Sequence, residues 1–545
     1  MRRALPGLLL IIACIPVLLA LVKPGFYKTH DGEFNLVRLM HFDQELKRGQ
    51  FPVRWSYDLN YKLGSPVFSF FYPLSYYLSA LIHNFGPDYG SSLKILVALT
   101  TVGAVITIYT WLRGHFKPYS AFFGALLYLY VPYRLLTMYV TGSFGVLLSL
   151  LFLPLLFLSV DKIILGNRRY WWLLPVSILG LLTAHNVTAL ILLPLSAGYS
   201  LLIMVLAKPK NSVAVNVLCG WAIGLGLAAF FWLPALSETK YVFLSQGAVV
   251  NFRDHFPSLR QLIYSKWDYF YSVSGRNDGM SFQLGLSGWM VAGLTGLVLA
   301  LRLITKRRLS KETILGLFFL GVFVVSILMM LPLSVFVWEK ITVLSQIQFP
   351  WRVLAATMVA IPFMGALLAE RKLGKILMVL IMAILLWNNR NYLRTWEMIR
   401  YSDVSYQIRD GFYYGSTDIA WETRPIWATE KPIWIAKEIV VPDKSIEISA
   451  ETSQNPNNLV IAAVSTKSAR LVINRFYYPI WRVKIDGRET TITPTVPGGL
   501  MAIELPAGKH KITVSQTRTE MERLADGISL LSLCGLVIFT LRRRK

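Results

Sequence analysis

Apolar runs of about twenty residues, nearly free of charge, recur along this chain, and that length matches the ~30 Å thickness of a bilayer's hydrocarbon core. They predict membrane-spanning helices over 5–22, 91–112, 119–137, 142–160, 171–184, 187–206, 213–236, 284–304, 313–336, 352–369, 375–388 and 525–541. Of these, 171–184 and 375–388 are short enough to be broken or tilted. The loops between them alternate in charge. One set carries Arg2 and Arg3, Arg113 and Lys117, Arg168 and Arg169, Lys208 and Lys210, Lys306 to Arg308, Arg371 to Lys375, and Arg542 to Lys545, while the acidic residues fall almost wholly in the other set. The positive-inside rule then places both termini in the cytoplasm of a cell (plasma or inner) membrane protein and requires an even number of spans, about twelve.

The acidic side holds three long segments, 23–90, 237–283 and 389–524, with a shorter one at 337–351. In the first, apolar residues at 36, 39, 40 and 46 alternate with charges and Gly49 closes the run, which predicts an amphipathic helix over 34–48 lying on the membrane. The aromatic stretch from Phe68 to Tyr77, interrupted by Pro73, is too short to span and reads as interfacial or re-entrant. In the last, Leu459 to Val464, Arg470 to Phe476 and Met501 to Leu505 have the short alternating pattern of strands. Trp481, Val483 and Ile485 alternate with Arg482, Lys484 and Asp486, and Asp486-Gly487 supplies the positive φ of a tight hairpin. A second turn, Pro506-Ala507-Gly508, precedes Lys511 to Gln516. The expected architecture is an α-helical polytopic membrane protein: a core over 1–388 with outer loops 23–90 and 237–283, a C-terminal extracytoplasmic β-sandwich over 389–524, and a final span with a basic tail over 525–545.

Composition agrees, with 54% hydrophobic residues, and it narrows the partners. The net charge of +25 is scattered over juxtamembrane loops, where anionic lipid and membrane insertion account for it, so membrane lipid and not nucleic acid is the expected partner. The first run follows Arg2 and Arg3 as a signal would, but no small-x-small cleavage site precedes Lys23, which makes it a retained anchor. Cys14, Cys219 and Cys534 all fall inside apolar runs, so the outer segments have no disulfide framework. There is no P-loop, no dinucleotide-binding glycine pattern, no CxxC pair and no HExxH, and the seven histidines are dispersed.

Chemistry is then sought at the outer membrane edge. Asp31, in His30-Asp31-Gly32-Glu33, stands just beyond the first span and immediately before the amphipathic helix. A carboxylate there deprotonates an acceptor hydroxyl or holds a divalent cation such as Mg or Mn while a lipid phosphate departs; equally, it caps the following helix by accepting a backbone N–H. Guanidinium groups that suit a phosphate come from Arg352, in Gln348-Phe349-Pro350-Trp351-Arg352, and from Arg38, Arg54 and Arg134. Arg352 is also placed to snorkel beside an interfacial tryptophan. Glu238, directly after a span, His185 at an outer turn, and Asp254, His255, Asp268 and Asp278 in the second outer loop are further candidates, Asp254 and His255 as metal ligands beside Asp31.

Asp31-Gly32 followed by Arg38, then Phe51-Pro52-Val53-Arg54-Trp55, Asp58-Leu59-Asn60-Tyr61, Gly64-Ser65-Pro66 and Phe71-Tyr72-Pro73-Leu74, resembles the integral membrane proteins catalogued as 6-pyruvoyl-tetrahydropterin synthase-related. Trp232-Leu233-Pro234-Ala235 with Glu238, the stretch from Asp278 to Gly285, and Gln348 to Arg352 extend the resemblance over nearly the whole chain. Lys62-Leu63-Gly64 departs from the family's Gly-Tyr-Gly. Pterin chemistry is not expected, because soluble pterin synthases use a three-histidine zinc site that nothing here reproduces. The arrangement also resembles GT-C glycosyltransferases, which present an acidic residue in the first outer loop and use a polyprenyl-phosphate sugar.

That resemblance implies a membrane glycosyltransferase moving a sugar from a polyprenyl-phosphate donor to an extracytoplasmic glycan, glycolipid or protein acceptor of the cell envelope. Asp31 is then the catalytic base or a metal ligand, Arg352 with Arg38 and Arg54 binds donor phosphate, and Glu238 and His185 assist. The alternatives are a transporter or flippase of lipid-linked saccharides, and a non-catalytic scaffold whose outer sheet binds wall polymer. A coupled carrier usually needs ionisable groups near the membrane midplane, and these spans have almost none.

Overall fold

Apolar runs in lipid must satisfy their own backbone groups, and helices do so within one segment. The computed structural model describes residues 5–246, 250–275, 278–305, 309–414, 422–432, 434–436, 438–455 and 458–542. Among the described residues, ten helical stretches are long and apolar enough to cross a membrane: Leu5–Val22, Tyr89–Leu112, Pro118–Thr141, Phe144–Ile164, Asn186–Ala207, Leu286–Thr305, Lys311–Met330, Pro350–Ala369, Lys372–Tyr392 and Glu520–Leu541. The chain is thus a polytopic helical protein, with ten or eleven such stretches in place of the twelve expected.

Two predicted spans account for the difference. The run at 213–236 is two helices, Asn211–Leu227 and Ala229–Ser237, bent by 63°. The run at 171–184 gives a helix of only 12 residues, Leu173–Ala184. At 1.5 Å per residue it rises about 18 Å, short of the ~30 Å hydrocarbon core. The aromatic segment packs over the turn at His185: Asn186 Nδ2 donates to the Phe70 carbonyl and the Tyr72 ring lies 4.5 Å from that of His185. The run at 375–388, by contrast, is full length within Lys372–Tyr392.

Pro118–Thr141 is broken where the sequence forces it. Val131 is extended before Pro132, which has no N–H to donate into the preceding turn, and the chain resumes as Pro132–Leu136 and a π-helical turn over Thr137–Thr141. Gly142 ends that turn in the left-handed region at φ +66°, and a Cβ there would stand 2.1 Å from Thr29 Oγ1. Only glycine allows the 29–32 segment to come this close.

The helix expected to lie on the membrane does something else. Gly32–Lys47 buries residues on all sides, Leu36, Leu39 and Phe42 but also Asn35, Arg38, His41, Asp43 and Glu45. It is a packed strut of the outer assembly, because residues 403–414 and the aromatic segment cover the face that sequence alone leaves to water. Two-residue strands β1 (Phe26–Tyr27) and β2 (Met398–Ile399) pair antiparallel and tie its base to the chain beyond the penultimate span.

The C-terminal region is β, as the alternation predicts. Strands β3 (Val440–Val441), β4 (Ile446–Asn455), β5 (Asn458–Ser465), β6 (Ala469–Phe476), β7 (Trp481–Ile485), β8 (Arg488–Thr490), β9 (Thr493–Pro494), β10 (Leu500–Leu505) and β11 (Gly508–Gln516) form two antiparallel sheets. Their orders are β3-β6-β10-β9 and β4-β5-β11-β7-β8. Asp486 and Gly487, at φ +50° and +83°, make the β7–β8 hairpin. The turn at 506–508 instead carries the chain from one sheet to the other. Trp55, Tyr57, Leu63 and Phe70 from the first outer loop enter the core these sheets share, with Trp55 5.7 Å from both Tyr478 and Trp481. The sheet domain is therefore seated on the first outer loop and not simply hung between the last two spans.

Candidate functional site

Asp31 does not cap its helix. Its own backbone is helical, at φ −107° and ψ −4°, and no side-chain cap bond forms; the Gly32 N–H goes to Thr29 Oγ1 at 2.9 Å. The backbone of this corner is pinned by two further bonds, from His30 N–H to the Val140 carbonyl at 2.9 Å and from Asp31 N–H to the Thr141 carbonyl at 3.0 Å. The carboxylate, relieved of capping, accepts from Ser143 Oγ at 3.3 Å and lies in the field of His30, Arg352 and Arg38. Burial raises its pKa above the ordinary carboxylate value, against the opposing pull of these groups.

Both guanidinium groups are held by their surroundings. Arg38 lies over the Phe71 ring at 4.4 Å and is hydrogen-bonded to the Tyr76 hydroxyl, which itself donates to Asn35 Oδ1 at 2.9 Å. Arg352 Nη1 donates to the Ile347 carbonyl at 2.9 Å and to Gln348 Oε1 at 3.1 Å, and the fork packs over Phe349 at 4.8 Å. Gln348 has φ +65° and ψ −46°, and Phe349 N–H returns to the Ile347 carbonyl at 2.7 Å. That geometry is a γ-turn of the strained hand, which costs a non-glycine residue of order 1–3 kcal/mol. It aims one carbonyl and one side-chain oxygen at the same arginine. Trp351 beside it stacks on Phe282 at 5.7 Å, so two of the sequence motifs meet here.

The second outer loop forms a wall over this corner. The His30 ring stacks on Tyr271 at 4.3 Å and its Nε2 lies 3.1 Å from the Tyr269 carbonyl; burial lowers the pKa of its imidazole. The next residue, Ser272, is 2.9 Å from His255 Nδ1, and the His255 ring meets Phe349 at 4.8 Å. Contacts therefore run from His30 through this loop to Phe349 and Arg352. His185 is buried at the foot of the site, where its Nδ1 accepts from Thr188 N–H at 3.0 Å; burial, helped by Arg352, pushes its pKa down to about 3. It serves as a neutral helix cap.

The other predicted residues go elsewhere. Arg54 forks onto Asp526, at 2.6 and 3.2 Å, and donates to the Phe230 carbonyl at 2.8 Å. Glu238 accepts from Tyr478 Oη at 3.1 Å and from Thr519, with Arg54 nearby. Both belong to a buried ionic cluster joining the last helix and the sheet domain to the core, which sequence could not pair because its members are separated by up to 472 positions. Arg134 is fully buried, its Nε donating to the Tyr128 carbonyl at 2.8 Å. Asp254 accepts from Asn251 at 3.1 Å; Asp278 accepts from Gln261 and Ser272, and Asp268 faces Lys266, all local roles. Conversely, Tyr72, Tyr133, Ser143 and Glu422 act on Asp31 or Arg352. They escape sequence reasoning because hydroxyl-bearing residues in apolar runs and one glutamate among many carry no motif.

A divalent cation fits this corner poorly. Among the described residues, no group of three or more His, Cys, Asp or Glu could hold a metal ion, and the groups flanking Asp31 include two guanidiniums. Like charge opposes a second cation there. The arrangement instead suits an anion beside an acceptor hydroxyl: guanidinium forks for a phosphate, and a carboxylate of raised pKa for a proton.

The sequence matches the 6-pyruvoyl-tetrahydropterin synthase related domain, a membrane-protein family, over residues 68–396, more than half of the chain. The chain belongs to that family. The match includes Arg352, His185 and the wall loop but begins after Asp31 and Arg38 and ends before the C-terminal sheets, so the corner around Asp31 is partly outside it. No curated protein matches the sequence. Among solved structures, a crystal structure of the Archaeoglobus fulgidus oligosaccharyltransferase in the apo form is similar at 13% identity with a TM-score of 0.40, over 77% of this chain and 61% of that one. That likeness is too loose to assign a fold or an activity.

Proposed function

We propose that this membrane protein is a glycosyltransferase that moves a sugar from a polyprenyl-phosphate donor to an acceptor on the extracytoplasmic side of the cell membrane. One observation carries the reading: the Asp31 carboxylate makes no cap bond and lies in the field of both Arg38 and Arg352, beneath the wall loop. In the reaction, the acceptor oxygen attacks the anomeric carbon as the bond to phosphate breaks, inverting that centre. Asp31 takes the acceptor proton, and the electron pair leaves with the lipid phosphate, whose charge Arg38 and Arg352 receive. Phosphate departs readily as an anion, so a single carboxylate suffices. The apolar helix faces around the site suit a prenyl chain.

The test is release of polyprenyl phosphate from a panel of polyprenyl-phosphate sugars by the protein in lipid, in the presence of oligosaccharide and peptide acceptors. Donor-dependent release is expected. Passage of the intact lipid-linked sugar across the bilayer with no release would replace this reading with a flippase.

A further inference from the structure

At the other ends of the spans, a cavity of about 410 Å³ opens among His115, Arg302, Ser310, Thr313, Glu370 and Arg371. Leu354–Ala369 separates it from Asp31: Arg352 stands just before that helix and Arg371 just after it, about 28 Å apart at 1.5 Å per residue. It is no part of the site described above, yet it is large enough for a ligand, since small-molecule sites run from about 300 to 1,000 Å³.

Its floor is a buried polar network. His115, 4% exposed at its side chain, places Nε2 2.7 Å from Asp161 Oδ2. The same carboxylate accepts from Trp111 Nε1 at 3.0 Å and from the Tyr199 hydroxyl at 2.8 Å. With Nε2 facing Asp161, Nδ1 is the nitrogen left without a hydrogen-bond partner among the described residues. Arg302 Nη1 donates to Thr313 Oγ1 at 3.0 Å, and Arg371 acts on the same guanidinium by repulsion. The amino end of Lys311–Met330 adds its dipole, with Ser310 as its cap.

Two acids border the cavity. Glu370 accepts the Lys117 N–H at 2.8 Å and lies 3.8 Å from its ammonium, while Glu312 acts on Arg302. Arg371 lines the same cavity and, among the described residues, forms no ion pair with a carboxylate. The Arg302 and Arg371 guanidiniums, confined together next to lipid, favour an anion that neutralises both.

We propose that this cavity binds the phosphate of a headgroup or of a free phosphate ester, gripped by Arg371, Arg302 and His115 at the membrane face opposite Asp31. Binding of a short-chain phosphatidic acid, of glycerol phosphate and of inorganic phosphate to the full chain in neutral detergent tests it. Saturable binding of the lipid is expected, weakened at least tenfold in the Arg302→Gln/Arg371→Gln double variant. The Arg302→Lys/Arg371→Lys double variant should retain most of it, which separates lost charge from lost fold. His115→Gln should weaken binding less. Binding of the lipid alone identifies a headgroup site, and binding of all three a free-phosphate site. Failure of all three ligands to bind, or unaltered binding by the folded glutamine variant, overturns the proposal. None of these outcomes depends on the activity at Asp31.

Discussion

Thr29 Oγ1 accepts the Gly32 N–H, three residues on, at 2.9 Å, while the Asp31 carboxylate makes no cap bond. Stability and chemistry are thereby assigned to different side chains. Thr29→Ala is expected to lower stability by about 1 kcal/mol, whereas Asp31→Asn should leave the thermal midpoint nearly unchanged and abolish sugar transfer. Thermal unfolding and donor turnover on both variants check this. Full turnover by Asp31→Asn would remove it from the reaction.

The rate should depend on pH in a stated direction. A base works when ionised, and burial raises the Asp31 pKa, so turnover should climb with pH to a plateau with its midpoint above the ordinary aspartate value of about 4. Arg38→Gln removes one opposing cation and should move that midpoint higher still. A profile of kcat/KM against pH reads both; a midpoint that falls in the variant contradicts the assignment.

The Gln348 turn can be dissected by two substitutions. Each deletes the oxygen that holds Arg352 at 3.1 Å, so both should weaken donor binding. Gln348→Gly also relieves the positive φ, whereas Gln348→Ala retains it, and glycine should be the more stable by about 1–2 kcal/mol. Equal melting temperatures would mean that no strain is stored there.

Arg54 is expected to matter for assembly and not for the donor. Arg54→Met leaves Asp526 and Glu522 buried beside Glu238 with one cation fewer, at a cost of about 3–5 kcal/mol. Limited proteolysis should then cut between the sheet domain and the last helix. Protein that remains folded should keep the wild-type KM for donor; a raised KM with intact stability would return Arg54 to the phosphate site.

Glu45 supplies a pH dependence of stability. Burial pushes its pKa up to about 7, against Arg48 and the Tyr57 N–H, so the folded protein favours the protonated form more than the unfolded chain does. Its contribution is complete below about pH 4.3 and is lost as pH rises through about 7, up to about 3 kcal/mol in all. Melting temperatures measured from pH 4.5 to 8 should decline in the wild type and flatten in Glu45→Gln. The same decline in both would point to another group.

What the sequence by itself determined follows from local physics. Hydrophobic length placed the spans, period-two alternation placed β5, β6, β7 and β10, and Asp486-Gly487 placed a hairpin, because each depends on neighbours a few positions away. Tertiary structure alone decided the rest. The turn after the 12-residue helix at Leu173–Ala184 is covered by the aromatic segment, and Gly32–Lys47 is buried because residues 403–414 return to it. Arg352 joins Asp31 while Arg54 and Glu238 leave for the sheet domain. A guanidinium's role is set by which carboxylate the fold brings within a few ångströms, and the chain puts those partners hundreds of residues away.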